Sequence, residues 1–122
     1  MMIKKPRKKT YQQGKLAELI GCIWLTLKGY RIRHWRYKTP VGEIDIIAQK
    51  GQTIIFVEVK RRPSYTAAIE SISLWQQHRI TQAALWYQAA QKKQWGFSAR
   101  FDILLVVPWR VHHHMNAWTQ FN

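Results

Sequence analysis

Apolar residues recur at helical intervals in two stretches of the chain. The first repeat predicts a helix over residues 11–28, with Thr10 and Gln13 at capping-box spacing and Gly29 as its stop. Its apolar positions are Leu16, Ile20, Ile23, Trp24 and Leu27. The second repeat predicts a helix over residues 71–92. Its inner face carries Ile72, Ile80, Ala83, Ala84 and Tyr87.

Alternating or continuous apolar runs predict strands in the remaining stretches. The predicted strands cover residues 30–38, 43–48, 53–60 and 101–107. A turn over residues 49–52 joins the second strand to the third. Residues 111–122 fit either a further strand or a short helix. The order α-β-β-β-α-β predicts an α/β fold, with a mixed β-sheet flanked by helices.

The length of 122 residues suits one domain with a single hydrophobic core. We expect that domain over residues 11–122, preceded by a flexible basic arm over residues 1–10. A single cysteine excludes an internal disulfide bond. No apolar run approaches the roughly 18 residues of a membrane span, and the N-terminus lacks the apolar segment of a signal peptide. We therefore expect a cytoplasmic protein without a membrane partner.

Charge points to a polyanionic partner. The chain has 20 Lys and Arg against 6 Asp and Glu, a net charge of +14. Such an excess opposes compaction by self-repulsion, and nucleic acid is the partner that most readily explains it. Basic and aromatic residues interleave in the first strand, where arginines would contact phosphates and an aromatic ring would stack on a base. The candidate nucleic-acid-binding residues are Arg31, Arg33, Trp35, Arg36, Lys38, Arg61 and Arg62.

Three of the six acidic residues, Glu43, Asp45 and Glu58, lie in one predicted hairpin. Side chains alternate along a strand, so Glu43 and Asp45 should share one face while Ile44 and Ile46 take the other. A hairpin loop of two or four residues places Asp45 opposite Glu58 or one diagonal step away, on the same face. Converging carboxylates of this kind suit an oxygen-bound divalent cation, Mg²⁺ or Mn²⁺.

Lys60 lies one step beyond Glu58 on the same face of the third strand. Its ammonium group would orient a water molecule or stabilise charge developing on a phosphorus centre. The spacing therefore fits metal-dependent hydrolysis of a phosphodiester. The alternative is an exposed hairpin face that carries ion pairs only.

The combination of Asp45 with Glu58-Val59-Lys60 resembles the PD-(D/E)xK nuclease superfamily. A longer ordered set of motifs resembles the YraN-like family of small bacterial proteins, which is related in fold to archaeal Holliday-junction resolvases. These motifs are Gly14, Ala17-Glu18, Gly29-Tyr30, Gly42 to Asp45, Phe56 to Lys60 with Arg62, Arg79, Ala83-Ala84, Arg100 to Asp102, and Asn116 to Trp118.

This resemblance implies a restriction-endonuclease-like core and a set of roles. Asp45 and Glu58 would bind one or two Mg²⁺ or Mn²⁺ ions, and the backbone carbonyl of Val59 would add a ligand. Lys60 would be the catalytic lysine. Resolvase-like members place a glutamate of the first helix beside the metal, which makes Glu18 a further candidate for ligation and catalysis.

Other polar residues near these motifs receive supporting roles. Glu43 is interpreted as a supporting residue, either a base behind the ligands or an ion-pair partner of Arg33 or Arg36. Asp102 is expected to form a structural hydrogen bond or a contact with Arg100. The run His112 to His114 is interpreted as structural or surface-exposed.

The combined hypothesis is a Mg²⁺- or Mn²⁺-dependent endonuclease-like protein that acts on structured or branched DNA in recombination, repair or processing. DNA is preferred over RNA as the partner. One alternative is a non-catalytic nucleic-acid-binding or adaptor module with the same fold, and another is a basic subunit of a protein assembly. A homodimer stays open, because junction-cleaving relatives act as symmetric dimers.

Overall fold

One mixed five-stranded sheet carries helices on both sides. The computed structural model describes residues 8–119, and the side chains from residue 14 onward. The elements are α1 (Lys8–Leu27), β1 (Arg31–Thr39), β2 (Gly42–Lys50), β3 (Thr53–Arg61), α2 (Tyr65–Glu70), α3 (Leu74–Ala90), a 3₁₀ turn (Lys92–Gln94), β4 (Ser98–Val107) and β5 (Arg110–Trp118). The predicted α/β class and the order α-β-β-β-α-β are confirmed, with α2 and β5 added.

The strands follow the order β1-β2-β3-β4-β5 across the sheet. Only β3 and β4 run parallel, and the other three neighbouring pairs are antiparallel. A parallel pair needs a crossover connection, which α2 and α3 supply. Hence β3 is the central strand, and its residues lie between α1 on one side and α3 on the other.

Two hydrophobic cores cover the two faces of the sheet. The core beneath α2 and α3 includes Ile44, Phe56 and Tyr87. The core beneath α1 includes Ile46 and Val57, both fully buried. Each buried side chain of this size contributes about 1.5–3 kcal/mol, so the cores hold both helices firmly against the sheet.

Glycine allows the backbone to approach closely at one point on each face. A Cβ at Gly21 of α1 would lie 3.1 Å from Leu104 and 3.3 Å from Ile46. A Cβ at Gly42 of β2 would collide with the backbone carbonyl of Arg79 in α3. These two contacts set how near each helix lies to the sheet.

The first helix differs from its prediction at its start and in its orientation. It begins at Lys8, so Thr10 lies inside the helix and not at its N-cap. Residues 1–7 of the predicted arm lie outside the described residues. Leu16, Ile23 and Leu27 carried the predicted repeat, yet they are exposed, whereas Ala17 and Leu25 are buried.

The helix predicted over residues 71–92 corresponds to α3 (Leu74–Ala90), and a separate short helix that was not predicted, α2 (Tyr65–Glu70), precedes it. The Ser64 hydroxyl accepts a hydrogen bond from the Ala67 N–H and caps α2, and the Ser73 hydroxyl accepts one from the Gln76 N–H and caps α3. Each serine is the N-cap of the helix that follows it, and the non-helical residues 71–73 separate α2 from α3. At the C-terminus, β5 shows that the strand alternative holds for residues 110–118.

Within residues 8–119, no helix combines the length and the apolar character needed to cross a membrane.

Candidate functional site

The hairpin of β2 and β3 brings Asp45 and Glu58 together. Its pairs run from Lys50 with Thr53 to Ile46 with Val57, and a two-residue loop connects the strands. One further step in this register places Asp45 opposite Glu58, one of the two expected arrangements. Two of the six acidic residues therefore meet in the centre of the sheet.

The alternation of faces along β2 breaks at Asp45. Ile44 packs in the core beneath α3, whereas Ile46 packs in the core beneath α1. The expectation that these two isoleucines share a face is therefore wrong. The neighbouring strand has an irregularity at the same level, because Arg36 adopts a positive φ of 57° between Trp35 and Tyr37. A residue of positive φ inside a strand turns the side chains next to it away from the regular alternation.

As a result, Asp45 and Glu58 line two cavities, one toward each helix layer. The cavity toward α1 has a volume of about 260 Å³ and is also lined by Glu18, Val59, Lys60, Arg61 and Arg62. The cavity toward α3 has a volume of about 360 Å³ and is also lined by Glu43, Trp75, Gln76 and Arg79.

Hydrogen bonds fix the orientation of both carboxyl groups. The backbone N–H of Val59 donates to Asp45 Oδ2 at 2.8 Å. Glu58 Oε1 accepts from Gln76 Nε2 at 3.3 Å and lies 3.4 Å from Lys60 Nζ. The Lys60 side chain is only 13% exposed, so its charge acts on Glu58 with little screening by water.

Both carboxyl groups titrate abnormally. Burial, followed by the charge of Glu58, raises the pKa of Asp45 well above its ordinary value. Burial also raises the pKa of Glu58, although Lys60 opposes that change. Two neighbouring buried carboxylates disfavour full ionisation unless a cation neutralises them. The hard oxygen donors of Asp45 and Glu58 therefore fit Mg²⁺ or Mn²⁺.

Glu18 faces the same cavity but is held by other partners. Its Oε1 accepts hydrogen bonds from Trp35 Nε1 and Arg36 Nε, both at 3.0 Å, and its Oε2 accepts one from Arg36 Nη2 at 2.9 Å. Glu18 still contributes repulsion that raises the pKa of Asp45. Among residues 14–119, no three His, Cys, Asp or Glu side chains lie close enough together to hold a metal ion.

The residues predicted to bind nucleic acid fall into three groups, of which the third, described below, contacts Glu18. Arg31, Arg33 and Lys38 are exposed on the edge strand β1. Arg61 and Arg62 line the cavity beside the carboxylates.

The other two predicted contacts, Arg36 and Trp35, bind Glu18. Arg36 was one of the two expected ion-pair partners of Glu43, and it pairs with Glu18. Glu43 itself is exposed at the rim of the cavity toward α3.

Sequence reasoning missed Gln76, which contacts Glu58 from α3. A signal was present, because Gln76 lies four residues after Ile72 and four before Ile80, on the face predicted to be apolar. A polar residue in such a position is usually directed at a buried polar partner. Trp75 and Arg79 join it at the cavity, with the Arg79 guanidinium 5.0 Å from the Trp75 ring centre.

Asp102 has the structural role that was expected. It is fully buried and accepts two hydrogen bonds from Arg100, both at 2.8 Å, and one from the Asn116 N–H at 3.0 Å. His113 Nε2 lies 2.6 Å from Asp102 Oδ2, which also accepts a hydrogen bond from Arg100 Nη2. Burial opposes ionisation, but these hydrogen bonds outweigh it and lower the pKa of Asp102. One histidine of the triplet therefore joins β5 to β4.

Comparison with known proteins agrees with the motifs. The model of the uncharacterised protein family UPF0102 matches residues 17–106. The chain is 40% identical over 115 residues to a UPF0102 protein of Bartonella tribocorum, which covers 94% of this chain and 88% of that relative. It is 42% identical over 108 residues to a UPF0102 protein of Rhizobium johnstonii, which covers 88% of each chain. The chain therefore belongs to the UPF0102 family, the YraN-like family of the restriction-endonuclease-like superfamily.

Proposed function

We propose that this protein is a Mg²⁺- or Mn²⁺-dependent endonuclease that hydrolyses phosphodiester bonds in structured or branched DNA in the cytoplasm. The observation that carries the proposal is the pairing of half-buried Asp45 with buried Glu58, with Lys60 beside them. Buried acidic residues of raised pKa in a cavity are typical of functional sites.

Asp45 and Glu58 would hold the cation, with the Val59 backbone carbonyl as a further ligand. The N–H of Val59 already fixes Asp45 Oδ2, so this carboxylate needs little reorganisation on binding. When bound, the cation would supply positive charge for the phosphate and make a bound water more acidic.

Lys60 would hold the attacking water and stabilise the charge that develops on the phosphate oxygens. Its Nζ lies 3.4 Å from Glu58 Oε1, so it is positioned at the site before any substrate arrives. Arg61 and Arg62 at the cavity rim would bind the neighbouring phosphates.

The test is a nuclease assay with Mg²⁺ or Mn²⁺ on duplex, single-stranded, flap and four-way-junction DNA. Asp45→Asn and Glu58→Gln should each abolish cleavage. Glu70→Gln changes an exposed glutamate of α2 that lines neither cavity and serves as the matched control. Absence of cleavage of every substrate, or full activity of Asp45→Asn, contradicts the proposal.

A second candidate is a non-catalytic nucleic-acid-binding module with the same fold. The observation that favours it is the ion pair of Glu18 with Arg36, which commits the third carboxylate of the cavity to another partner. Calorimetry separates the two candidates. The binding module predicts no heat of Mn²⁺ binding but salt-sensitive binding of DNA.

A further inference from the structure

The turn between β4 and β5 presents a tryptophan that the fold does not need. The turn consists of Pro108 and Trp109, since Val107 pairs with Arg110. Trp109 has a relative exposure of 103%, so its indole ring buries nothing. Other tryptophans of the described chain are exposed as well, but none is as fully exposed as Trp109, so its ring is free to stack on a ligand.

The backbone at Trp109 is also unfavourable for its residue type. Its φ is +67°, in the left-handed region that glycine or asparagine normally occupies. A proline followed by a residue of positive φ is the pattern of a type II turn, whose second position favours glycine. Neither packing nor turn geometry explains a tryptophan here, and such strain often accompanies function.

Trp109 lies on a groove that continues from the candidate site. The groove has a volume of about 580 Å³, and its lining includes Arg61, Arg62, Pro63, Pro108 and Trp109. Arg61 and Arg62 also line the cavity that holds Asp45 and Glu58. At about 3.3 Å per residue of β3, Arg61 lies roughly 10 Å beyond Glu58. The two arginines therefore connect the carboxylates to the tryptophan.

We infer that this groove binds an unpaired nucleotide next to the phosphate to be cleaved, with its base stacked on Trp109 and its phosphate on Arg61 and Arg62. The inference rests on the proposed function for its substrate class. An indole stacks on any base, and a neighbouring guanidinium pair neutralises the backbone. A base inside a paired duplex does not present its flat face, so Trp109 selects substrates with a single-stranded segment.

The test measures binding in the presence of a chelator, so that no DNA is cut. Fluorescence anisotropy compares a short blunt duplex with the same duplex carrying an unpaired overhang. The wild-type protein should bind the overhang substrate about 5- to 100-fold more tightly. Trp109→Ala should lose this preference and keep its affinity for the blunt duplex within about twofold.

Two controls separate binding from folding. Trp86→Ala removes another exposed tryptophan, on α3, and should leave both affinities unchanged. Trp109→Asn suits the left-handed backbone better, so it should unfold at the same or a higher temperature while losing the overhang preference.

The inference fails if Trp109→Ala weakens both substrates equally, or if the wild-type protein shows no overhang preference. It also fails if Trp109→Ala retains the wild-type preference, whether or not the protein cleaves DNA. A protein that never cleaves but prefers the overhang through Trp109 supports the inference and contradicts the nuclease.

Discussion

Glu18 of α1 and Arg36 of β1 form a two-point ion pair beside the carboxylate cavity, with nitrogen–oxygen distances of 3.0 and 2.9 Å. Arg36 reaches Glu18 from a strand position with left-handed backbone, so the strand is distorted where the pair forms. Both oxygens of Glu18 at the cavity therefore already accept hydrogen bonds from β1. If the proposed cation binds here, Glu18 would have to share its oxygens between that cation and Arg36.

Breaking this pair should destabilise the protein. The side chains of Arg36 and Glu18 are 23% and 10% exposed, so Arg36→Ala leaves a mostly buried carboxylate with fewer partners. We expect a loss of about 3 kcal/mol in the free energy of unfolding, measured with urea. The double variant Glu18→Gln/Arg36→Ala should recover part of it. Equal stability of the single and double variants would show that the pair contributes little.

Asp45→Asn should stabilise the metal-free protein at neutral pH by about 1–3 kcal/mol, because it removes a half-buried charge next to Glu58. Mn²⁺ should raise the unfolding temperature of the wild-type protein and leave that of the variant unchanged. Thermal unfolding with and without Mn²⁺ measures both effects. A variant less stable than the metal-free wild type would mean that the Val59 hydrogen bond outweighs the repulsion.

The stability of the metal-free protein should fall as pH rises through the titration of Asp45. Its folded-state pKa is raised, so the folded state holds a proton that the unfolded state has released. The loss begins near the ordinary aspartate pKa of about 3.9 and continues up to the folded-state pKa. Subtracting the pH profile of Asp45→Asn from that of the wild type isolates this contribution. If the wild-type protein instead gains stability relative to Asp45→Asn as the pH rises, the raised pKa of Asp45 is contradicted.

The same substitution at Asp102 should have the opposite effect. Asp102→Asn removes a fully buried charge that Arg100 and His113 stabilise, so we expect a loss of about 3–5 kcal/mol. The pKa of Asp102 is lowered, so its contribution is present above the ordinary aspartate pKa and is lost as pH falls below it. Urea unfolding of both asparagine variants gives the comparison, and a stabilising Asp102→Asn would contradict it.

Lys60→Met should separate catalysis from binding. Methionine keeps the length of the side chain and removes the charge beside Glu58, so we expect cleavage to fall about 10²- to 10³-fold. Affinity for DNA should fall far less, because Arg61 and Arg62 remain. Single-turnover cleavage and anisotropy measure the two effects. Equal losses in both would make Lys60 a phosphate contact only.

Local sequence patterns were sufficient for the central hairpin. Continuous apolar residues from Ile54 to Val57 permit little except a buried strand, and the loop parity brought Asp45 to Glu58 without tertiary information. The inner face of α1 was harder to predict, because Leu16 and Ile23 make its outer face apolar as well. Periodicity identifies such a helix but not the side that packs.

The contacts of Glu18 could not be predicted from local patterns either. Its partners Trp35 and Arg36 are 17 and 18 residues away, and the pairing depends on a left-handed residue inside a strand. Arginine rarely adopts this conformation, so no sequence rule anticipates it. The short helix α2 and the start of α3 were different, because Ser64 and Ser73 are ordinary helix caps whose signal was present in the sequence but was not used.

The close approaches at Gly21 and Gly42 fix the distance of α1 and α3 from the sheet, and with it the width of the two cavities between them. A Cβ at Gly21 would crowd Leu104 and one at Gly42 would collide with the Arg79 carbonyl, so each helix lies closer to the sheet than a larger residue would allow. The hydrophobic cores oppose movement in the other direction. A ligand therefore meets walls of set spacing, and only flexible side chains such as Arg79 and Lys60 can adjust to it. We therefore expect the spacing of the backbone to limit the thickness of any ligand that enters these cavities.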